Sequence, residues 1–271
     1  MARSLDIIES ISARKAAGEP FAVATVVRTV AATAAKAGAK AVILPDGTMS
    51  EGWIGGGCAR AAVLKAAKDA LADGRSRLVS VQPPEVLAEQ GVKPGDEQLG
   101  VRYAKNMCPS QGTMDIFVEP VLPRPQVIVC GSSSVAAAVA DLARRSGFAV
   151  TACAPASEQA VFAEAERRIE DYAPPAEVSG PCYIIVSTQG RGDEAALSAA
   201  LASDAAYVAF VGSRKKAAAL RTALLKRGLP VERLNNLRAP AGVDIGAITP
   251  DEIAISILAE VIAVRRRSSR G

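Results

Sequence analysis

The second half of the chain alternates solidly apolar runs with longer stretches of helical periodicity. Runs that are apolar on both faces, separated by helices, are typical of a parallel sheet covered on both sides. The pattern predicts a Rossmann-like, doubly wound domain over residues 126–271. Its predicted strands are Gln126–Cys130, Phe148–Cys153, Tyr183–Ser187 and Tyr207–Val211, and its predicted helices are Ser134–Arg145, Glu158–Ile169, Asp193–Leu201 and Ser213–Arg227.

The first half has a different order, in which a hairpin of strands precedes the first long helix. It predicts an α/β domain over residues 1–120, so the expected fold class is an N-terminal α/β domain followed by a Rossmann-like doubly wound parallel-sheet domain. The predicted strands are Phe21–Arg28, Ala39–Leu44, Arg77–Val81 and Met114–Glu119, and the predicted helices are Leu5–Ala17 and Ala59–Leu71. Thr29–Gly38 is predicted to be a loop over a candidate site, and Pro83–Gly100 a long surface excursion.

The stretch from Pro120 to Pro125 contains three prolines in six residues. Proline has a fixed φ and no N–H group, so we expect a stiff linker that no central strand would tolerate. A chain of 271 residues is also long enough for about two domains. This stretch is therefore the predicted domain boundary.

Three consecutive glycines, Gly55, Gly56 and Gly57, run into Cys58 where a helix is predicted to begin. Glycine lets the backbone approach a ligand closely, and the free N–H groups at a helix start favour anions such as phosphate. The same positive field favours the thiolate form of a cysteine. The stretch is a candidate anion cradle with a reactive thiol; the alternative is a tight turn with a small buried cysteine.

Cys108 has a similar setting, in the turn 106–112 beside the strand Met114–Glu119. If this turn faces the glycine–cysteine turn in the fold, two thiols share one site. The alternative is that the two cysteines are unrelated. The sequence leaves both possibilities open.

Composition excludes several kinds of chemistry. The chain contains no histidine, which excludes Ser-His-Asp and Cys-His catalysis and histidine-bound zinc. The net charge of +4 is spread along the chain, so we expect no nucleic-acid partner. Five cysteines without a C-x-x-C pair, no secretory signal at the N-terminus and no apolar run of about 18 residues lead us to expect a cytoplasmic protein without a membrane span.

The first turn of the predicted Rossmann-like domain contains Gly131, Ser132 and Ser133. It keeps only the first glycine of the dinucleotide fingerprint, and the end of the second strand, at residues 152–155, has no acid for the ribose hydroxyls. The two serines could still donate hydrogen bonds to a phosphate at the helix start. The pattern as a whole argues against NAD(P) binding.

Ser213, Arg214, Lys215 and Lys216 open a later helix directly after a strand. Ser213 fits the N-cap position, whereas three cations in the first turn oppose the helix dipole. An anionic ligand or an acidic neighbour would explain this cluster, and plain solvation is the alternative. A capping box at Thr249–Glu252 predicts one more helix, with a structural role.

Together these stretches resemble the signatures of the XdhC/CoxI family, accessory proteins of molybdenum hydroxylases, over nearly the whole chain. The matching N-terminal stretches are Gly38-Ala39-Lys40, Asp46-Gly47 and Gly55-Gly56-Gly57-Cys58, and the matching C-terminal stretches are Tyr207-Val208, Gly212–Lys216, Pro240–Ala247 and Thr249–Ala254. The stretch Asn106–Thr113 resembles the branch that serves carbon monoxide dehydrogenase.

The resemblance implies a cofactor-binding maturation factor rather than a turnover enzyme. Such a protein binds molybdenum cofactor, helps to place its terminal sulfur and hands it to the apoprotein of a hydroxylase such as xanthine or carbon monoxide dehydrogenase. A cysteine desulfurase is a second implied partner, and we expect a homo-oligomer. Cys58 and Cys108 would carry the sulfur chemistry, with Cys58 also the metal ligand. Phosphate and nucleotide groups would contact Gly55, Gly56, Gly57, Gly131, Ser132, Ser133, Ser213, Arg214 and Lys215.

Two positions depart from the family pattern. Gln189 stands where the family commonly has histidine, and Arg60 stands where it usually has glutamate. The first change weakens the case for redox chemistry in the second domain, and the second adds positive charge beside Cys58. Two rival functions stay open: an NAD(P)-dependent oxidoreductase that uses the second domain, and a thiol redox protein built on Cys58 and Cys108.

Overall fold

The structure is a computed structural model that describes residues 7–109, 111–176 and 180–268. The chain divides into two compact units, an N-terminal unit of residues 1–123 and a C-terminal unit of residues 124–271. Leu5 and Asp6 of the predicted first helix and Ser110 of the predicted Cys108 turn lie outside the described residues. No helix in the described part of the chain has both the length and the apolar character that crossing a membrane requires.

The N-terminal unit is built on one mixed sheet. Its elements in chain order are α1 (Ile7–Ala17), β1 (Phe21–Val30), β2 (Lys40–Ile43), β3 (Met49–Gly52), α2 (Gly57–Asp73), β4 (Arg77–Gln82), α3 (Pro84–Glu89), β5 (Glu97–Gln98), β6 (Val101–Lys105) and β7 (Thr113–Val121). The strand order is β3-β2-β1-β7-β4-β6-β5. Among these described strands, the pairings are antiparallel except that of β4 with β6.

Helix α2 covers one face of this sheet with small side chains. Ala59, Val63, Ala66 and Ala70 recur every three or four residues and are all buried. This spacing places them on one side of the helix, and short side chains allow a close approach to the strands. The start of α2 is thereby held beside the ends of β4 and β7.

Strand β7 continues through Pro120, so the linker predicted to begin at that residue is shorter than expected. β7 pairs with β4 only as far as Val118, and at Pro120 its remaining neighbour is β1, through Ala22. The proline therefore lies where β7 is locally an edge strand, a position that tolerates a missing N–H group. The predicted excursion Pro83–Gly100 likewise contains α3 and β5.

The C-terminal unit is built on a parallel sheet. Its elements are β8 (Gln126–Cys130), α4 (Ser134–Arg145), β9 (Ala149–Cys153), β10 (Arg167–Ile169), β11 (Cys182–Val186), α5 (Asp193–Ala202), β12 (Tyr207–Phe210), α6 (Arg214–Lys226), α7 (Val231–Asn235), β13 (Leu237–Arg238) and α8 (Pro250–Ser268). Helices α4 and α8 cover one face, and α5 and α6 cover the other. The strand order β10-β9-β8-β11-β12-β13 is that of the Rossmann fold, which confirms the predicted class.

The helix predicted at Glu158–Ile169 is wrong. A short 3₁₀ helix, Ala156–Phe162, follows Pro155, and the chain then forms β10 at the sheet edge. The buried Gln159 side chain donates to the carbonyl oxygens of Ala154 at 2.7 Å and Ile169 at 2.9 Å, which ties the turn to the end of β10. An edge strand exposes its charged side chains, so it lacks the apolar run that marks a central strand.

Candidate functional site

The glycine–cysteine turn connects β3 to α2. Gly55 has φ +121°, and a Cβ built there would approach Met114 Cε to 3.1 Å, so this position favours glycine on both grounds. Gly56 has extended backbone and caps α2, and Gly57 is the first helical residue. A Cβ added at Gly56 or Gly57 would meet nothing within 4 Å, so these two glycines border open space.

The start of α2 offers backbone amides to that space. The Arg60 amide donates to the Gly56 carbonyl at 3.0 Å and makes the first bond of the helix. The amides of Gly57, Cys58 and Ala59 precede it and therefore have no acceptor within the helix. Gly56 has no side chain with which to cap them. This is the arrangement expected of an anion cradle.

A cleft of about 270 Å³ opens beside this helix start, and we call it the thiol cleft. Its lining residues are Thr33, Ala34, Gly56, Gly57, Cys58, Ala59, Val81, Asn106, Met107, Cys108 and Met114. The first two belong to the stretch 29–38 that was predicted to be a loop over the site, although Thr29 and Val30 of that stretch extend β1. None of these lining residues carries a carboxylate, so nothing among them opposes an anionic ligand.

The two turns that bear Cys58 and Cys108 meet at the thiol cleft. Cys58 is half-buried, and its Sγ accepts a hydrogen bond from the Met107 amide at 3.4 Å. Cys108 follows Met107 in the chain and is exposed. Its backbone amide donates to Asn106 Oδ1 at 2.9 Å. The structure thus realises the alternative in which the two thiols share one site.

Asn106 fixes the second turn, although it was not among the predicted site residues. Its backbone amide donates to the Gln82 carbonyl oxygen at 2.6 Å, and its side-chain Nδ2 donates to the Gly112 carbonyl oxygen at 2.6 Å. A Cβ at Gly112 would lie 2.2 Å from the Ala32 carbonyl oxygen, so the chain can pass there only as glycine. An asparagine two residues before a cysteine and a proline is a turn signal that would have identified it.

A polar cluster lies on the sheet face opposite the thiol cleft. The buried Asp115 accepts from Arg28 Nε at 2.6 Å and from Ser80 Oγ at 2.5 Å, and Ser80 Oγ in turn accepts from Gln82 Nε2 at 2.8 Å. Alternation along β4 and β7 places Val81 and Met114, which line the cleft, on the other face. The cluster therefore ties together the strands that form the floor of the cleft.

The other three cysteines are buried in the core of the C-terminal unit. Burial raises the pKa of Cys182 to about 12, and a hydrogen bond with Cys153 together with burial raises the pKa of Cys130 well above its usual value. All five cysteines, each within the described residues, are thiols rather than disulfides. Of these five, Cys58 and Cys108 are the ones accessible to a ligand.

The Rossmann turn of the C-terminal unit is tightly closed. Gly131 has φ +103°, and a Cβ there would lie 2.3 Å from the Ser187 carbonyl oxygen. Ser133 caps α4 by accepting from the Ala136 amide at 3.0 Å, and its Oγ lies 2.6 Å from Ser187 Oγ. The hydroxyl predicted to meet a phosphate therefore already has partners.

The Ser132 hydroxyl is already hydrogen-bonded to a carboxylate of the same chain. Its Oγ donates a short hydrogen bond to Glu158, which also accepts from the Tyr172 hydroxyl at 3.0 Å and pairs with Arg191 Nη1 at 2.6 Å. The Ser132 hydrogen bond, with help from Tyr172 and Arg191, lowers the pKa of Glu158. Glu158 thus binds the serine of the turn where a Rossmann fold holds a dinucleotide phosphate. This role could not be recognised from the sequence because Glu158 fell inside the wrongly predicted helix.

Ser213 caps α6 as predicted, and its Oγ accepts from the Lys216 amide at 3.2 Å. Arg214 and Lys215 are exposed, whereas Lys216 Nζ lies 2.6 Å from the buried Asp193. The acidic neighbour considered for this cluster is therefore present at Lys216. The part of Arg214 and Lys215 in charge neutralisation stays a prediction.

Asp193 holds the loop after β11 in place through hydrogen bonds. Burial raises the pKa of Asp193, but hydrogen bonds from Lys216, Thr188 and the Gly190 amide outweigh it, and the pKa lies below its ordinary value. Among the described residues, no group of three or more histidine, cysteine or acidic side chains is arranged to hold a metal ion. The assignment of Cys58 as a metal ligand stays a prediction.

Two family profiles match the chain. The profile of the XdhC and CoxI family covers residues 15–82, which include the wall of the thiol cleft formed by the glycine–cysteine turn. The profile of the XdhC Rossmann domain covers residues 127–261, nearly all of the C-terminal unit. The chain belongs to the XdhC/CoxI family. The resemblance described from its motifs is thereby confirmed.

Curated proteins and a solved structure are similar to this XdhC/CoxI chain. The uncharacterized protein YqeB of Escherichia coli (strain K12) is 26% identical over 263 residues, 93% of this chain and 45% of that protein. A probable xanthine dehydrogenase subunit of Bacillus subtilis (strain 168) is 25% identical over 166 residues, 57% of this chain and 47% of that protein. The chain thus spans about half the length of these relatives. A crystal structure of a xanthine dehydrogenase from Bacillus halodurans aligns over 97% of this chain and 96% of that chain, with 18% identity and a TM-score of 0.46.

The two departures from the XdhC/CoxI pattern lie on the surface. Arg60 is exposed in the first turn of α2, two residues after Cys58. Gln189 is exposed in the loop after β11 and has φ +53°. Arg60 is not among the residues that line the thiol cleft, so a contribution of its charge there stays a prediction. Gln189 belongs to the loop after β11, where the Gly190 amide donates to Asp193.

Proposed function

We propose that this protein binds molybdenum cofactor at the thiol cleft and delivers it to a molybdenum hydroxylase of the xanthine dehydrogenase type. Family membership and the relative named as a probable xanthine dehydrogenase subunit support the partner class. The meeting of Cys58 and Cys108 at one cleft, beside the amides of α2, is the observation that carries the site. The three remaining cysteines, all in the described part of the chain, are buried and offer no second pair of accessible thiols.

The donor groups of the thiol cleft fit this cargo. Soft thiolates suit molybdenum and transferable sulfur, and the amides at the start of α2 suit a phosphate. A volume of about 270 Å³ is slightly below that of a typical small-molecule pocket, about 300–1,000 Å³. The cleft would therefore enclose one end of the cofactor and leave the remainder outside it, where an acceptor protein can reach it.

The two thiols would have different roles. Cys58 is half-buried and hydrogen-bonded, which suits a residue that holds cargo, whereas Cys108 is exposed and suits a residue that a cysteine desulfurase can reach. In such a step the Cys108 thiolate attacks the outer sulfur of the desulfurase persulfide. The desulfurase cysteine leaves as a thiolate, and Cys108 becomes the persulfide.

Purification of the protein from a molybdenum-replete host tests the proposal. Molybdenum and released pterin fluorescence are measured for the wild type, Cys58→Ala and the control Cys182→Ala, with circular dichroism to verify folding. The wild type and the control should retain cofactor, and Cys58→Ala should lose it with its fold intact. Equal retention by Cys58→Ala would remove Cys58 from the site.

The first rival is an NAD(P)-dependent oxidoreductase that uses the C-terminal unit. Its strand order supports this reading, but Glu158 already binds the serine of the phosphate turn. Titration with NADH, followed by nucleotide fluorescence, separates the two functions, because micromolar binding would favour the enzyme. The second rival, a thiol redox protein, requires a reversible disulfide between Cys58 and Cys108; unchanged mobility in non-reducing electrophoresis after mild oxidation would oppose it.

A further inference from the structure

The outer face of α2 carries cations that have no partner within the fold. Arg60, Lys65 and Lys68 are exposed, on the side of the helix opposite the buried row that packs on the sheet. Within the described residues, none of these three side chains takes part in an ion pair or a hydrogen bond. The helix has no acidic residue before Asp69, although a helix start favours carboxylates. The charge on this face is therefore available to a partner outside the chain.

These cations begin near the thiol cleft and continue away from it. Arg60 follows Cys58 by two residues, and Lys65 and Lys68 lie seven and ten residues after Cys58. At the rise of an α-helix, these two lysines are about 10 Å and about 15 Å from Cys58 along the axis. Neither lysine lines the thiol cleft. A ligand that uses this whole face must therefore be larger than a phosphate held at the helix start.

The two turns that meet at the thiol cleft also expose large apolar side chains. Trp53, the single tryptophan of the chain, directly precedes the residues of the glycine–cysteine turn and is 52% exposed. Met107, in the Cys108 turn, lines the cleft and is 64% exposed. Tryptophan, methionine and arginine are enriched in protein–protein interfaces, where tryptophan and arginine often provide most of the binding energy. The surface around the cleft therefore has the composition of an interface.

We propose that this surface, which we call the docking rim, binds the protein that receives the cargo of the thiol cleft. Its members are Trp53, Arg60, Lys65, Lys68 and Met107. The inference rests on the proposed function and adds to it the surface that recognises the acceptor. Because Met107 belongs both to the docking rim and to the wall of the cleft, an acceptor bound there would face the part of the cofactor that the cleft leaves outside.

The chemistry of the docking rim specifies the matching surface of the acceptor. Trp53 and Met107 require an apolar recess, and the cations of α2 require carboxylates beside that recess. Electrostatic attraction of this kind accelerates association, whereas a few apolar anchors set the lifetime of the complex. A small interface with exposed charges suits a transient complex, which must dissociate after each delivery.

Charge reversal on α2 tests the electrostatic part. The cofactor-free protein is immobilised, and binding of a xanthine dehydrogenase apoprotein from the same organism, prepared without molybdenum, is followed by biolayer interferometry at low and high salt. Lys65→Glu with Lys68→Glu should raise the Kd at least about tenfold, mainly through slower association, and salt should weaken the wild-type complex. The matched control, Lys15→Glu with Lys226→Glu, changes the net charge equally at exposed positions outside the docking rim and should bind as the wild type does.

Removal of the tryptophan tests the apolar part. Trp53→Ala should raise the Kd about thirtyfold, through faster dissociation, which is the loss typical of an anchor side chain. The control Leu225→Ala removes an apolar side chain of similar exposure, 45%, from α6 and should leave the Kd unchanged. Circular dichroism verifies the fold of each variant.

Cofactor retention by the same variants separates this inference from the proposed function. Binding is measured without cofactor, so its result does not depend on what the thiol cleft holds. The variants at Lys65, Lys68 and Trp53 should retain molybdenum as the wild type does while they bind the apoprotein weakly. A wild type that does not bind the apoprotein, an equal loss in the controls, or a Kd that the variants leave unchanged would overturn the docking rim. Failure of the wild type to retain molybdenum would instead contradict the proposed function.

Discussion

The thiol cleft and the Rossmann turn have the same local architecture but differ in whether their hydrogen-bond donors are already bonded within the chain. Each places a glycine with positive φ between a strand and the N-terminus of a helix, at Gly55 and at Gly131. At the thiol cleft, Gly56 and Gly57 border open space, and the first amides of α2 have no acceptor in the helix. At the Rossmann turn, Ser132 already binds a carboxylate of the same chain. A glycine turn at a helix start therefore becomes a candidate site only where the fold leaves its donors unused.

Substitution of the glycines should give the largest difference between the two regions. Gly131→Ala places a methyl group against the Ser187 carbonyl oxygen and should cost about 3 kcal/mol of unfolding free energy. Gly56→Ala meets no neighbour and should cost less than about 1 kcal/mol, while its methyl group narrows the cleft and lowers cofactor retention. Urea unfolding followed by circular dichroism measures both variants. Equal destabilisation by the two would remove the distinction.

Removal of the internal carboxylate should make the second region resemble the first. Glu158→Ala leaves Ser132, Tyr172 and Arg191 without their shared acceptor and should create an anion site at the start of α4. We expect no NADH binding by the wild type and detectable binding by the variant in a fluorescence titration. Glu158→Gln keeps the shape without the charge and should lie between them. Tight NADH binding by the wild type would show that Glu158 does not close the turn.

The stability of the C-terminal unit should depend on pH through Asp193, and this effect should be smaller than the two above. The folded-state pKa of Asp193 lies below its ordinary value of 3.8. Its contribution to stability is therefore complete above that value and is lost as the pH falls through the lower, folded-state pKa. Asp193→Asn should unfold more easily than the wild type at neutral pH, and the difference should shrink in acid. A constant difference down to low pH would contradict the charged pair with Lys216.

Arg60 should give the smallest effect of this series. It is exposed, so its charge is screened by solvent, and Arg60→Ala should weaken cofactor retention only a few-fold. The loss should diminish further as the salt concentration rises. Retention measured at low and high salt, with Arg75→Ala as a control at the far end of α2, tests this expectation; an effect as large as that of Cys58→Ala would assign Arg60 a direct contact.

Local signals made much of this molecule predictable from the sequence. The apolar runs of β8, β9, β11 and β12 identify a buried parallel sheet because each strand is covered on both faces. Glycines followed by a helical pattern identify the turn at Cys58 in the same local way. The strands that were not predicted, β6, β10 and β13 among them, lie at or near sheet edges, where exposed side chains leave no apolar run.

Contacts between distant segments could not be predicted. The bond from the Met107 amide to Cys58 Sγ joins residues 49 positions apart, and the similar settings of the two turns left open whether they meet. The closure of Ser132 by Glu158 spans 26 positions and depends on a 3₁₀ turn where a helix was expected. The site of a ligand follows from which donors remain unused, and that is a property of the whole fold.

Protection of Cys58 from alkylation tests the central claim most directly. Protein loaded with molybdenum cofactor and protein stripped of it are treated with iodoacetamide under native conditions, and the modified cysteines are quantified by mass spectrometry. The buried Cys182 serves as an internal reference, since it should stay unmodified in both samples. We predict that cofactor slows the modification of Cys58 at least about tenfold, the effect of a ligand present at about ten times its Kd. Equal rates with and without cofactor would contradict binding at the thiol cleft.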